Sequence, residues 1–164
     1  MKPVAAAVML ALVPMMFAPA AHAQATCADV TTLNRAAFEE FDSISGAAID
    51  DDVYSATLKL PNASACVVEA EFEVIYCCVW SFASRENAVQ AYVAQSSAIA
   101  PCLAGWTAST LPSDKQVRPG VMLISGAVYV GEDDFEYMEW NVTLQEYGSA
   151  QPAPYRLWVE MILY

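Results

Sequence analysis

The strongest constraint on this fold is an alternation of apolar residues that returns three times along the chain. Phe72, Val74, Tyr76, Cys78, Trp80 and Phe82 fall on every second position. So do Met138, Trp140, Val142 and Leu144, and then Tyr155, Leu157, Val159, Met161 and Leu163. A period of two puts such side chains on one face of a strand. Elsewhere Val30, Leu33, Ala37 and Phe41, and later Ala88, Tyr92, Gln95, Ile99 and Cys102, recur at the three-to-four spacing of a helix face. The order predicted is helix, strands, helix, strands. That is an α+β domain with two helices packed on one face of a largely antiparallel sheet.

Local signals set the expected boundaries. Thr26-Cys27-Ala28-Asp29 has the capping-box pattern and opens the first helix, whose wet side takes Arg35, Glu39, Glu40 and Asp42. Residues 44–52, with Gly46 and the run Asp50, Asp51, Asp52, read as a break, and 53–60 as a first strand stopped by Pro61-Asn62. Cys66-Val67-Val68 supplies the next strand and 69–73 a bend. Ser84 caps the second helix, and Pro101 ends it or bends its last turn. Residues 107–120 read as a polar loop, 121–130 as a strand, 131–134 as an acidic turn and 135–146 as a strand.

The chain starts with Lys2, an apolar stretch over 4–21 and Ala21-His22-Ala23, the pattern of a cleaved export signal. The expected organisation is therefore a signal peptide over 1–23 and a single α+β domain over 24–164, working in the periplasm or outside the cell. Cleavage after Ala23 removes His22, the single histidine, and with it the commonest general base and metal ligand. The part from Gln24 onward holds no apolar run near the roughly 20 residues of a spanning helix, so no membrane insertion is expected. It carries six basic residues against nineteen acids, a net charge of −13. A field of that sign repels nucleic acid and anionic lipid, and steers cations.

Five cysteines in an exported chain read as two disulfides and a leftover thiol. Their spacing lacks a C-x-x-C for zinc or for redox chemistry. Cys27 opens the first helix and Cys102 closes the second, so antiparallel helices bring this pair together. Cys66 lies opposite 77 and 78 across the bend. Its partner is Cys78 or Cys77, with Cys78 favoured by its place in Tyr76-x-Cys78-x-Trp80.

The constellation Cys66, Tyr76-x-Cys78-x-Trp80, Ala88, Cys102-Leu103 and Trp106 resembles small exported bacterial domains of uncharacterised function. The resemblance implies a fold like that of type III secretion chaperones, in a group where some domains act as periplasmic immunity proteins against secreted toxins. It transfers core and cysteine positions and no functional residue.

Catalytic signals are weak. There is no G-x-S-x-G elbow, and both acidic runs, 50–52 and 132–134, are consecutive residues that point different ways beside turns. No cofactor and no metal are expected. Function is expected instead in recognition of a protein partner, with a second copy of the chain as a homodimeric alternative. Trp106, Lys115 and Arg118, in or beside the polar loop, and Trp158, outward on the last strand beside Arg156, Glu160 and Tyr164, are the expected contact residues. The expected function is thus a non-enzymatic periplasmic binding or immunity-type protein. The alternatives are a small carboxylate-based hydrolase and an envelope or outer-membrane component.

Overall fold

A computed structural model describes residues 24–133, 136–148 and 150–164. The expected signal peptide, and Asp134 and Phe135 of the expected acidic turn, lie outside the described residues.

The first helix, α1 (Cys27–Ala37), starts on a reciprocal cap: the Asp29 amide donates to the Thr26 hydroxyl, and the Thr26 amide donates to the Asp29 carboxylate. The helix stops before Phe41. Glu40 and Phe41 take left-handed backbone conformations, and this turn, rather than helical periodicity, drives Phe41 into the core. Residues 44–52 are not a break. They form most of a hairpin, β1 (Ser45–Asp50) and β2 (Val53–Ala56), turning through Asp51 and a left-handed Asp52. Gly46 permits that pairing, because a Cβ there would stand 2.7 Å from the Ser55 carbonyl oxygen. The strand expected over 53–60 is correspondingly short, since the chain leaves the sheet after Ala56 and buries Leu60.

Strands β3 (Ala65–Glu69) and β4 (Val74–Phe82) pair antiparallel, ending at Glu69 opposite Ile75. Phe72 was expected on the strand but sits in the connecting turn, 92% exposed, because no residue lies across from it. Ser84 caps α2 (Arg85–Ile99), accepting from the Asn87 amide. Pro101 and Cys102 belong to a 3-10 turn, Ala100–Leu103, that continues its axis.

The polar loop expected over 107–120 is two strands, β5 (Thr107–Leu111) and β6 (Lys115–Arg118). Both pair with one long strand, β7 (Val121–Asp133), at different places along it. Their polarity reflects an edge position, with one side of each strand left to solvent. Residues 131–133 likewise extend β7 instead of turning. Two further strands, β8 (Glu136–Tyr147) and β9 (Tyr155–Leu163), complete among the described residues a nine-stranded antiparallel sheet in the order β1-β2-β3-β4-β9-β8-β7-β5, with β6 off this path and paired to β7.

One face carries the core. Tyr76, Cys78 and Trp80 of β4, Trp140, Val142 and Leu144 of β8, and Leu157, Val159 and Met161 of β9 cluster there with Val30 and Leu33 of α1 and Ala88 and Ile99 of α2. Two of its polar groups are paired, the Trp140 indole donating to Asn34 Oδ1 at 2.9 Å and buried Gln95 accepting from the Ala25 amide at 3.0 Å, while the Ser96 hydroxyl of α2 is buried with no partner among the described residues. Cys27 bridges to Cys102 (Cα separation 5.1 Å), tying the start of α1 to the end of the α2 axis. Cys66 bridges to its direct cross-strand neighbour Cys78 (4.1 Å), and Cys77 remains a buried thiol.

Candidate functional site

The pleat that sends Cys78 and Val159 into the core sends Cys77, Trp158 and Glu160 to the opposite face, which no helix covers among the described residues. Cys77 pairs in register with Glu160, and Glu160 with Asn141. The buried apolar residues left out of the main core, Cys77, Val121, Leu123, Val128 and Tyr147, form the floor of this second face. The sheet curls around it strongly enough that residues of β3 and β6, far apart in strand order, line one cleft of about 370 Å³. Glu69 comes from β3, Ile75 and Cys77 from β4, Trp158 and Glu160 from β9, Gln145 from β8, and Val117 and Arg118 from β6.

Charge in the cleft is unevenly matched. Burial pushes the Glu160 carboxyl above the ordinary carboxylate range, Glu69 and Glu139 add to the shift, and Arg118 partly opposes it. No hydrogen bond to the Glu160 carboxylate forms among the described residues. Arg118 forms no ion pair with it either; the Arg118 guanidinium donates to the Tyr147 hydroxyl at 2.8 Å, and that hydroxyl donates to Gln145 Oε1 at 3.1 Å. Arg156 also approaches the Tyr147 ring, 4.4 Å from its centroid. The Trp158 Nε1–H and the hydroxyl of Thr143, its cross-strand neighbour, are buried without partners. The Cys77 thiol is pushed far up by burial and by the adjacent Glu160 and Glu69 charges, so it stays protonated and weakly nucleophilic.

The expected contact residues separate into two groups. Arg118 and Trp158 meet in the cleft. Trp158 is partly buried in its wall, because the curled sheet encloses the face that alternation assigns to solvent. Lys115 is exposed at the start of β6 and does not line the cleft. Trp106 packs elsewhere, its ring lying on β7 where a Cβ on Gly131 would come within 2.6 Å, and it seals an edge of the core. Tyr164 is exposed and stacks edge-on against Tyr137 at 5.2 Å. Asp50, Asp51 and Asp52 are exposed around the β1–β2 turn. Among the described residues no three His, Cys, Asp or Glu side chains group as a metal-binding set.

Sequence reasoning missed Glu69, Gln145 and Val117 as cleft residues, and treated Glu160 only as an outward position. The signal that finds them is the register: positions two apart from Cys77 and Trp158, on strands paired with theirs, share their face. Val117 escapes even that rule, since it stands at a register irregularity between Gln116 and Arg118.

Comparison of the chain with protein-family models, with curated proteins and with solved structures found no match.

Proposed function

We propose that this chain is an exported, non-enzymatic binding protein of the periplasm or cell exterior, recognising a protein partner through the curled face opposite its helices. The observation that carries this is the cleft itself. It gathers an arginine, a tryptophan and two glutamates without ion-pairing them to one another, and arginine and tryptophan are the residue types that dominate binding energy at protein interfaces. The two disulfides fit an oxidising compartment. An immunity-type role, blocking a secreted toxin, is the form favoured by the sequence resemblance to chaperone-like exported domains.

The test is a pull-down from envelope extract with the wild-type protein, Arg118→Ala and Lys115→Ala. A partner retained by wild type and Lys115→Ala and lost by Arg118→Ala is the expected result. Retention by all three variants places the contact outside the cleft.

A second reading has its own observation. A carboxyl held above its ordinary range beside another carboxylate is how acid–base pairs in glycosidases are tuned, and Glu160 with Glu69 has that character. Turnover of a glycan by the purified protein, abolished by Glu160→Gln, would replace binding with hydrolysis as the function.

A further inference from the structure

We propose that the free edge of β5 is a strand-addition site for an extended, cationic segment of a partner protein. Among the described residues β1, β5 and β6 present edges, and two of them are guarded. Strand β1 is interrupted by register shifts on both sides of Ala48 and ends in Asp50. Strand β6 is four residues long, carries Lys115 and Arg118, and contains its own irregularity. Charges and bulges of this kind are how natural sheets discourage pairing with further strands.

Strand β5 has neither device. Its residues, Thr-Ala-Ser-Thr-Leu, are uncharged, include no proline, and pair with β7 in unbroken register from Thr107 opposite Val130 to Leu111 opposite Gly126. Its first four residues are exposed, and among the described residues its backbone pairs with no strand but β7. Alternate amides and carbonyls therefore face outward, ready for an incoming strand.

Two features define the occupant. Beside the edge, Ala108, Ser109 and Thr110 with Ala127 and Tyr129 enclose a hollow of about 310 Å³. A strand laid along β5 has alternate side chains on that side, and the hollow suits an apolar one. The charge of the chain selects a cationic partner and works against a second copy, which brings another strongly negative surface. Glu139 of β8 stands in line with the start of β5, opposite Val130, which itself pairs with Thr107. The basic residues of the segment fall at that end. This site is separate from the cleft, so Arg118→Ala leaves it intact.

The experiment uses a fluorescent heptapeptide of alternating threonine and valine with lysine at both ends. Two controls accompany it: a glutamate-ended counterpart, and a lysine-ended peptide with prolines at adjacent central positions, which removes amide donors from both of its edges. Anisotropy against the folded protein is read together with amide exchange. The expected result is saturable binding of the lysine-ended threonine–valine peptide, about tenfold weaker for the glutamate-ended form, with new protection at 107–111. Thr110→Lys, a surface substitution that guards the edge, abolishes binding while melting stays as in wild type, and Arg118→Ala binds like wild type. No binding of this peptide, equal binding of the proline control, or protection confined to other strands overturns the proposal. Self-association of the protein that protects 107–111 overturns the cationic partner in favour of a second copy.

Discussion

At the scale of single residues, the open face sets expectations unlike those of an ordinary exposed surface. Cys77 sits there between Glu69 and Glu160, with its thiol held protonated by burial and by their charges. Native protein treated with iodoacetamide at pH 8 is expected to remain unmodified at Cys77 and to react fully once denatured; rapid native labelling by mass spectrometry would contradict the burial. Glu160 has the opposite consequence for stability. Its raised value means the folded state binds that proton more tightly than the unfolded chain does, so stability is greatest below the ordinary carboxylate range and is lost as pH rises through the raised value. Glu160→Gln is therefore expected to melt above wild type at pH 7, with the difference closing below about pH 4. A difference independent of pH would show that ionisation is not the cause. Gly131 is a steric case, because its missing Cβ is the space the Trp106 ring fills. Gly131→Ala should cost about 1–3 kcal/mol in denaturant unfolding.

At the scale of elements, α1 is held by its disulfide, the Asn34–Trp140 hydrogen bond and a short apolar stripe of Val30, Leu33, Ala36 and Ala37. Replacing both Cys27 and Cys102 by serine is expected to cost about 2–5 kcal/mol. In amide exchange, α1 should then open before the β4–β9–β8 centre, which is paired on both sides. Simultaneous loss of protection everywhere would show that α1 is integral to the cooperative unit. The long elements were legible in sequence because burial on one face writes a clean period: β4, β8, β9 and both helices follow their apolar stripes except at the ends, where Phe72, Phe41 and Cys102 fall outside them, and the Thr26 cap is where the capping box puts it. What escaped were edge elements. β1, β5 and β6 bury little, so their residues are small or polar and carry no period; Ser-Gly-Ala-Ala-Ile-Asp and Thr-Ala-Ser-Thr-Leu look like loops until a neighbouring strand pairs with them. The cleft was half-legible for the same reason. Alternation puts Trp158 and Glu160 on one face, but the curl that brings Arg118 across from them depends on long-range pairing that no local pattern records.

At the scale of the molecule, a net charge of −13 beyond Ala23 surrounds a cleft with carboxylates inside it. Association with a cationic partner is expected to slow as salt rises, because steering acts over a Debye length of about 8 Å at physiological ionic strength. Stopped-flow rates measured from low to high salt check this, and a salt-independent rate would remove the long-range field from recognition. The strand order carries a consequence of a different kind. Strand β9 lies at the middle of the sheet, between β4 and β8, although it follows every other strand along the chain. Without residues 155–163 the facing edges of β4 and β8 stay unpaired, and the two halves of the sheet meet only through the helices packed on them. The sheet closes around the last of its described strands, so a chain cut before Tyr155 is expected to leave the edges of β4 and β8 open to whatever strand meets them.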